Sequence, residues 1–591
     1  MNKLQVTDFA RAMYEDSYLL PNETIDDLYH RVAYDNCRDN PERAERIKSY
    51  FYKLWACGAT PVMSNSGTDR GYPISCFTSM TYDSLESIAF GLMEDLVLGS
   101  GGGGIGRRKI VRGLGESISN VGTSSGKVPF LKVDDSMVNA VSQGALRRAS
   151  KAEYLHISDP EIEEFIKIRK ATGGDSNRKT FNLHHAIIIP DSFVDKVIKG
   201  EMWDLVSVKT EEVVKQVDAY KLFCDILLTR IETGEPYLMF EDNINRSVPE
   251  LYKLNSFKVT LSNLCSEVLL NTDATKTAVC CLSSVNLEKY DEWKDDPVFI
   301  EDMYYFLDGV LIQYEEKLLQ SPDWKKPFLH RVLNFVREER AVGLGVMGWH
   351  SLLQSKSIPF ESPMAKGLNI KIFKDLREKA DKASIKIAEE RGSCELAKRH
   401  NILERFSHKL AIAPTSSISI LCGGVSAGIE PWQSNGYVHK NKTKAETIKN
   451  KHLDTYIRDY AEKNNKDNRW VAGQWKSIIA HEGSVQHLEW MDSYIKEVFK
   501  TAFELDQRYI IEQASDRGEF IDQGQSTNIF LRHNIHKKDL VGLHLYAWAK
   551  QLKTLYYCRS TSPKRASIGG EVIRNKIEVP EIKYDECISC Q

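Results

Sequence analysis

A segment with helical periodicity is followed by a short, strand-like apolar run in residues 161–190 of this chain. Residues 161–169, EIEEFIKIR, repeat apolar side chains at helical spacing, and residues 185–190, HAIIIP, form a short apolar run that ends in proline. This alternation predicts an α/β architecture. A chain of 591 residues is long enough for several domains or for one large barrel with insertions.

The N-terminal residues have a different pattern. Apolar and charged residues are interleaved in residues 24–33, TIDDLYHRVA, and again in residues 45–54, ERIKSYFYKL. This pattern predicts a helical N-terminal region over residues 1–55 that caps a larger body. We expect this larger body, an α/β unit with helical insertions, over residues 56–570 and a flexible tail over residues 571–591, because polar chain ends are where disorder concentrates.

The bulk properties exclude several classes of protein. A formal net charge of -3 gives no global attraction to nucleic acid or to an anionic membrane. The N-terminus has no apolar signal segment, and no later run is long enough to span a bilayer. We therefore expect a cytoplasmic protein with neither nucleic acid nor membrane as a partner. Twelve cysteines are too few for a secreted disulfide framework in so long a chain. Six that stand singly are assigned to packing: Cys37, Cys57, Cys224, Cys394, Cys422 and Cys558.

An amide, a thiol and a carboxylate occupy alternate positions in residues 262–270, SNLCSEVLL. In an extended backbone such positions face one side, so Asn263, Cys265 and Glu267 would point into one volume. The apolar residues 268–270 would then anchor the backbone in a core. A lone cysteine is more often a small buried apolar residue than a reactive group, and both interpretations stay open on this stretch alone.

Two glycine clusters, residues 101–106 and 343–348, fit the G-x-G-x-x-G pattern. Neither has the strand, helix and acidic residue that a Rossmann site requires, so we expect only that backbone comes close to something there. The first cluster continues into the basic residues 107–109 and Arg112. A phosphate-binding role and a solvated basic loop are equally compatible with these residues.

Four further motifs carry possible chemistry. Cys280 and Cys281 lie in a strand-like run, and residues 413–419, APTSSIS, combine hydroxyls with a turn that opens a helix, typical of a phosphate site or of an ordinary helix cap. Tyr556 and Tyr557 form an aromatic pair compatible with a core or an interface. The chain ends with Cys587-x-x-Cys590; no second pair completes a zinc site, so a mobile dithiol is expected and no metal site is predicted.

Together and in this order, the motifs resemble the large catalytic subunit of class I ribonucleoside-diphosphate reductase, over nearly the whole chain. The resemblance implies a ten-stranded α/β barrel, made of two five-stranded parallel halves packed antiparallel, with a loop inside that carries the radical cysteine. It implies a thiyl radical on Cys265, a base at Glu267 and an orienting amide at Asn263. Cys76 and Cys280 match the redox pair, Cys280 being chosen over Cys281 because Cys-x-Leu-Ser-x-x-Asn-Leu reproduces the family spacing.

The same resemblance implies binding sites and partners. Ribonucleoside diphosphate is expected to bind Thr60, Ser75 and the residues Pro414, Thr415, Ser416, Ser417, Ile418 and Ser419. A deoxynucleoside triphosphate or ATP effector, with Mg²⁺, is expected at Asp83, Ser84, Leu85 and Arg112. Its message would pass through the segment 142–150, in which Gln143 and Arg147 are the specificity residues.

Radical supply and re-reduction follow from the family as well. Tyr556 and Tyr557 match the pair that relays the radical from the metal cofactor of a separate small subunit, and no cofactor is expected to be bound covalently in this chain. Cys587 and Cys590 match the tail dithiol, which thioredoxin or glutaredoxin would reduce. A homodimer is expected. Only about fifty residues precede the first matched motif, which is too few for an ATP-cone domain, so we expect no overall inhibition by dATP.

Two alternatives remain at this stage. An adenosylcobalamin-dependent reductase would share the three active-site cysteines and the terminal dithiol, but it would not need the tyrosine pair. A non-catalytic nucleotide-binding or zinc-binding regulatory protein would not need Cys265.

Overall fold

The structure is a computed structural model that describes residues 7–141, 149–171, 173–440 and 445–561. Its first elements are three helices: α1 Asp8–Ser17, α2 Ile25–Asn36 and α3 Pro41–Tyr52. Each begins at a polar residue, Thr7, Thr24 or Asn40, whose side chain accepts a hydrogen bond from a backbone N–H of the first turn. The predicted helical N-terminal region is confirmed.

The later helices in the described ranges are numbered in chain order. They are α4 Thr60–Asn65, α5 Leu85–Ser100, α6 Val128–Val141, α7 Ile162–Phe165, α8 Asp191–Lys199, α9 Ala219–Thr233, α10 Glu241–Arg246, α11 Glu250–Leu254, α12 Tyr290–Trp293, α13 Phe299–Gln320, α14 Lys326–Glu339, α15 Trp349–Ser355, α16 Pro363–Arg391, α17 Glu395–Lys398, α18 Ile418–Leu421, α19 Lys451–Lys463, α20 Asn468–Ala480, α21 Ser493–Val498, α22 Gln507–Gly518 and α23 Lys537–Ala549. Two 3₁₀ turns are Ser176–Arg178 and Leu287–Lys289. Among the helices within these ranges, none has an apolar stretch of the length that a membrane span requires.

The strands are numbered in the same way. They are β1 Ala56–Gly58, β2 Cys76–Tyr82, β3 Gly104–Ile110, β4 Ser117–Ile118, β5 Gly122–Thr123, β6 Ser150–His156, β7 Leu183–Ile189, β8 Met202–Val206, β9 Val213–Asp218, β10 Tyr237–Phe240, β11 Ala278–Asn286, β12 Val342–Met347, β13 Gly436–Lys440, β14 Ala445–Lys449, β15 Ile529–Arg532, β16 Thr554–Leu555 and β17 Cys558–Thr561.

The strands form the two halves of a barrel. In the first half β2, β3, β6, β7 and β10 are parallel neighbours. In the second half β12 lies parallel to β11, and single parallel bridges at Leu410 and at Ile412 with Gln525 extend it. The halves meet where β2 runs antiparallel to β11 and where β10 runs antiparallel to β16. The predicted α/β barrel is confirmed, with two members of the second half present as short bridged segments.

The first glycine cluster leads into β3, and the basic residues that follow it lie in that strand. Arg107 is buried and bonded to Glu94 and Asp95 of α5. Lys109 is buried beside Asp134 and Glu153. The phosphate-binding alternative is therefore wrong for Arg107 and Lys109, because their charges are neutralised inside the protein by acids of neighbouring elements.

Candidate active site

The stretch that carries Cys265 is a loop inside the barrel, and the prediction of an extended backbone is wrong. Leu264 and Cys265 form a turn, and Ser266 has a φ of +67°. The cause is local: the Asn263 side-chain oxygen accepts hydrogen bonds from the backbone N–H groups of Glu267 and Val268, both at 3.2 Å. A side chain that bonds its own backbone competes with strand pairing and folds the chain back.

The loop nevertheless brings its polar groups together. Asn263 Nδ2 donates to Glu267 Oε1 at 3.0 Å, and Ser526 Oγ donates to Glu267 Oε2 at 3.1 Å. Both Asn263 and Glu267 are buried. The hydroxyls of Tyr154, from β6, and Thr554, from β16, hold the loop by donating to the carbonyl oxygens of Asn263 and Ser266 at 2.7 and 2.9 Å. Two separate strands of the barrel thus fix the loop in position.

Gly106 explains part of the first glycine cluster. A Cβ at this position would lie 1.8 Å from the carbonyl oxygen of Ser262, well inside van der Waals contact. Only glycine lets β3 pass so close to the loop. The expectation that the glycines mark a close backbone approach therefore holds for Gly106.

Cys76 and Cys280 face each other directly across the antiparallel pair of β2 and β11. Directly opposed residues have Cα atoms about 4.5–5.5 Å apart, within the range of about 4.4–6.8 Å that a disulfide needs. Both are thiols in this structure. Burial raises the pKa of the Cys280 thiol well above its usual value, and a hydrogen bond from Gln523 Nε2 at 3.3 Å opposes this. Cys280 is therefore held protonated and able to donate hydrogen.

Cys281 lies next to Cys280 in β11 but has different surroundings. Side chains alternate across a strand, and Cys281 is influenced electrostatically by Cys76 and, beyond it, by Asp308 and Arg340. Cys280 lines the pocket described below and Cys281 does not. The other six cysteines assigned to packing are all buried.

A pocket of about 170 Å³ opens beside the loop and the cross-strand cysteines. Its lining joins the N-terminus of α4, the start of β2, the loop, β11 and the segment before α18. The lining residues are Ala59, Thr60, Pro61, Pro73, Ile74, Ser75, Cys76, Cys265, Glu267, Cys280, Leu282, Ser283, Ser284, Ala413, Pro414, Thr415, Ser416, Ser417 and Ile418. The structure therefore brings most of the sequence-predicted catalytic and substrate residues into one cavity.

The hydroxyl-rich segment before α18 is not an ordinary helix cap. Ser417 stands at the cap position and makes no side-chain capping bond. The Thr415 hydroxyl accepts the backbone N–H of Gly428 at 2.7 Å. Ser419 differs from the others because it does not line this pocket. It lines a larger neighbouring pocket, and its hydroxyl donates to the carbonyl of Ser416 at 3.3 Å.

The tyrosine pair lies between the loop and the surface. Tyr556 is buried and Tyr557 half-buried, and their ring centroids are 4.2 Å apart. Burial raises the pKa of Tyr556 well above its usual value, and a hydrogen bond with Cys265 adds to this. The phenols therefore form a contact series from the Cys265 thiol outwards.

Three residues beside the tyrosine pair were not predicted from the sequence. The ring of Tyr237 lies 4.7 Å from that of Tyr556 and 5.1 Å from that of Tyr557. His184 Nδ1 is 2.6 Å from Glu235 Oε1 and 3.4 Å from the hydroxyl oxygen of Tyr557. Nothing in the sequence links these positions, because β7 and β10 become neighbours only in the folded sheet.

The expected effector residues also lie together. Arg112 Nε is 3.0 Å from Asp83 Oδ1, and its guanidinium reaches the carbonyl of Ser117 at 2.8 Å. Ser84 caps α5 by accepting the N–H of Ser87, and Leu85 is exposed. Gln143 and Arg147 of the specificity segment, and Cys587 and Cys590 of the tail, lie outside the described residues.

Comparisons with known proteins cover the whole length of this architecture. The profile of the ribonucleotide reductase barrel domain matches residues 74–405 and 399–558, and that of the ribonucleotide reductase all-alpha domain matches residues 4–71. A putative ribonucleoside-diphosphate reductase large subunit of Frog virus 3 is 38% identical over 95% of each chain. The large subunit of Invertebrate iridescent virus 3 is 35% identical over 92% of each chain. The solved class Id ribonucleotide reductase alpha subunit of Actinobacillus ureae superposes with a TM-score of 0.83 at 33% identity, covering 95% of this chain and 98% of its own.

Proposed function

This chain belongs to the ribonucleotide reductase large-subunit family, and from that premise we propose that Cys265 carries the thiyl radical of the reaction. The activity of the chain is the reduction of ribonucleoside diphosphates to 2'-deoxyribonucleoside diphosphates. The radical comes from a separate small subunit. The observation that carries the assignment of roles is the single pocket shared by Cys265, Glu267 and the cross-strand pair Cys76 and Cys280.

The first step takes a hydrogen atom from the substrate. The Cys265 radical removes the 3'-hydrogen of the ribose, which leaves a Cys265 thiol and a carbon radical. Glu267 accepts the proton of the 3'-hydroxyl. Asn263 and Ser526 each bond one oxygen of this carboxylate, so its orientation is fixed before substrate binds. Burial of Glu267 keeps water from the reacting atoms.

The second step removes the 2'-hydroxyl. One thiol of the pair Cys76 and Cys280 gives the proton with which the hydroxyl leaves as water, and the other gives the hydrogen that C2' gains. The pair thereby supplies two electrons and closes to a disulfide, and Glu267 returns its proton to the 3'-oxygen. Their direct cross-strand register supports this role, because the disulfide forms without movement of the backbone. The Cys265 thiol then returns its hydrogen atom to C3', which restores the radical.

The diphosphate is assigned to the hydroxyl-rich segment. Thr60, Ser75 and residues 414–418 line the wall of the pocket, and hydroxyls together with backbone N–H groups are the groups that typically bind a phosphate. Ser419 is a less direct candidate, because it does not line this pocket and lines only the neighbouring one.

Tyr557 and Tyr556 are assigned to the relay that passes the radical inwards to Cys265. The contact between their rings, and the decrease in exposure from Tyr557 to Tyr556, support this order. After turnover the Cys587 and Cys590 dithiol would exchange with the disulfide of Cys76 and Cys280, and thioredoxin or glutaredoxin would reduce the tail.

The Asp83 and Arg112 pair is assigned to an effector nucleotide with Mg²⁺, and Gln143 and Arg147 to transmission of its signal. Three apolar residues close to this pair in the sequence have exposed side chains. Leu85 is 79% exposed, Leu114 is 60% exposed and Val121 is 86% exposed. Apolar residues so exposed around one ion pair support a homodimer that buries them.

The test combines the purified chain with its small subunit, CDP and a dithiol. We expect dCDP to form, and we expect none when the small subunit is replaced by adenosylcobalamin. Turnover with adenosylcobalamin alone would favour the cobalamin-dependent alternative. If a Cys265→Ser variant functioned as well as wild type, the non-catalytic regulatory alternative, which does not need this thiol, would be favoured.

A further inference from the structure

One hydroxyl in the substrate pocket has no assigned role. Ser284 lies in β11, lines the pocket and is only 2% exposed. No hydrogen bond joins its Oγ to any group within residues 7–141, 149–171, 173–440 and 445–561. A hydroxyl taken out of bulk water without a partner costs free energy. Such a group inside a binding pocket therefore indicates a partner that arrives with the ligand.

The side chain of Ser284 lies on the same face of β11 as Cys280. Side chains alternate across a strand, so Cys280, Leu282 and Ser284 point to one side. The neighbouring strand β12 supports this arrangement. A Cβ on Gly343 would lie 2.6 Å from Leu282 Cδ2 and 3.1 Å from Cys280 Sγ. A Cβ on Gly345 would lie 3.3 Å from Ser284 Oγ. Two members of the second glycine cluster therefore leave room beside these three side chains.

The adjacent serine, Ser283, points the other way. It also belongs to the pocket lining, but alternation turns its side chain to the Cys281 side of the strand. Its Oγ is shielded from solvent and has no hydrogen-bond partner in the part of the chain that the structure describes. Ser284 Oγ is not shielded in this way. Of the two neighbouring hydroxyls, only that of Ser284 is open to the pocket.

Ser284 lies between the two segments that are assigned to the diphosphate. On one side it pairs with Cys57 of β1, and Thr60 begins α4 three residues later. On the other side, the Cβ position that is 3.3 Å from Ser284 Oγ is 2.6 Å from the carbonyl oxygen of Ala411, which precedes the segment that starts at Pro414 by three residues. Both proposed phosphate-binding segments therefore begin close to this hydroxyl.

The position along β11 places Ser284 away from the reacting thiols. It is four residues from Cys280, about 13 Å along the strand at about 3.3 Å per residue. A substrate whose ribose C2' lies at the Cys76 and Cys280 pair therefore directs its diphosphate, and not its reacting carbons, towards Ser284.

Two hydroxyls already assigned to the diphosphate are engaged with protein groups. The Thr60 hydroxyl is 3.0 Å from that of Tyr18, and Thr415 Oγ1 accepts the backbone N–H of Gly428 at 2.7 Å. Ser284 has no such bond to any described residue. Donation to a phosphate oxygen therefore costs Ser284 no existing hydrogen bond.

We propose that the Ser284 hydroxyl donates a hydrogen bond to a phosphate oxygen of the ribonucleoside diphosphate. The inference rests on the proposed function, because it takes that substrate as the ligand. A hydrogen bond to an anionic oxygen is about twice as strong as one between neutral groups. The diphosphate does not react, so the bond is equally present in the ground state and the transition state. It contributes to substrate binding and leaves the rate of the chemical step unchanged.

The test compares Ser284→Ala with wild type, and the matched control is Ser283→Ala, which removes the neighbouring hydroxyl from the other face of the strand. Calorimetric titration of the chain gives the dissociation constant for CDP, and turnover with the small subunit gives KM and kcat. In Ser284→Ala we expect the dissociation constant and KM for CDP to rise about 10-fold or more with kcat unchanged. The control should bind CDP as wild type does.

A second ligand separates a phosphate contact from a structural effect. Cytidine has the same base and ribose as CDP but no phosphate, so its inhibition constant as a competitor of CDP should be the same in Ser284→Ala and wild type. The thermal unfolding midpoint should be unchanged or raised, because the substitution removes a hydroxyl that bonds to no other group of the described chain.

The outcomes are distinct. A loss of affinity confined to CDP, with cytidine and the unfolding midpoint unaffected, supports the proposal. A CDP dissociation constant within about twofold of wild type overturns it, and so does an equal loss for cytidine or for Ser283→Ala. The titration needs no turnover. If wild type binds CDP but forms no dCDP, the proposed function fails while the CDP affinities still decide the role of Ser284. If wild type does not bind CDP, both conclusions fail.

Discussion

At the scale of single residues, the two adjacent thiols of β11 make a matched pair. Cys280 faces Cys76 across the strands and lines the pocket, whereas Cys281, although it is also influenced by Cys76, does not line the pocket. We expect Cys280→Ser to abolish repeated turnover and Cys281→Ser to retain at least about a third of the activity, because only the first removes a redox thiol. Steady-state dCDP formation measures both, and equal losses would contradict the assignment.

Glu339 is a buried carboxyl whose titration affects stability. Burial raises its pKa from 4.5 to about 7, against the opposing effect of Lys276 at 3.1 Å. A raised pKa favours the neutral acid in the folded state, so this group's contribution is full below pH 4.5 and is lost as pH rises towards 7. We expect Glu339→Gln to gain stability relative to wild type between about pH 5 and about pH 7.5, measured by urea unfolding. If the difference in unfolding free energy between Glu339→Gln and wild type did not change with pH, the raised pKa of Glu339 would be contradicted.

The chemistry of single residues was partly readable from the sequence. The spacing of Cys280 with Leu282, Ser283 and Asn286 selected the thiol that lies opposite Cys76. The pair His184 and Glu235 carried no such signal, because its parts lie 51 positions apart and meet only through the β7 and β10 register. Side-chain groups that a sheet brings together are invisible to local spacing.

At the scale of elements, the loop that carries Cys265 depends on a glycine in β3. A Cβ at Gly106 would lie 1.8 Å from the Ser262 carbonyl oxygen, so Gly106→Ala must displace the loop. We expect a loss of about 1–3 kcal/mol in unfolding free energy, as overpacking of a filled interior gives, and a larger proportional loss of activity. Urea unfolding and dCDP formation measure the two effects.

The control for this change is Gly367→Ala. Gly367 lies within α16, and a Cβ there would have no heavy atom within 4 Å. We expect it to leave activity intact and to stabilise the protein by up to about 1 kcal/mol, because alanine is the better helix former. If Gly106→Ala behaved like this control, close approach of β3 would not be what positions the loop.

Elements with strong local signals were predictable, whereas the loop was not. The cap of α5 at Ser84 and the strand around Cys280 follow from residue types and patterning. The turn at residues 264–266 does not, because it depends on the Asn263 side chain bonding its own backbone and on anchors from β6 and β16. The alternate spacing of Asn263, Cys265 and Glu267 predicted that they lie close together, as they do, but it also predicted an extended backbone where the structure has a turn.

At the scale of the whole molecule, the exposed apolar residues around Asp83 and Arg112 predict how two copies assemble. If the proposed homodimer forms, we expect Leu85→Asp combined with Val121→Asp to convert it to a monomer, since charges placed in an apolar interface lack partners there. Sedimentation of wild type and variant gives the masses. Leu319→Asp, which alters another exposed leucine on α13, is the control and should leave the dimer intact. A dimer retained in the double variant would place the interface elsewhere.

The barrel as a whole was predictable only by resemblance. Alternating helical and strand-like segments indicated an α/β fold, but neither the number of strands nor their order follows from periodicity. The second half is held partly by single bridges at Leu410 and at Ile412 with Gln525, which leave no strand-length pattern in the sequence. Pairing between such distant segments is decided by the closure of the barrel.

The most direct test of the radical role of Cys265 is the reaction of the Cys265→Ser variant with CDP and the small subunit. Serine keeps the size and approximate polarity of the side chain, so the fold and CDP binding should be preserved. It cannot form a thiyl radical, so the reaction should stop. We expect the variant to form no dCDP above background. Its thermal unfolding midpoint and its CDP dissociation constant should equal those of wild type. Formation of dCDP by the folded variant at a rate near that of wild type would contradict the assignment of the radical to Cys265.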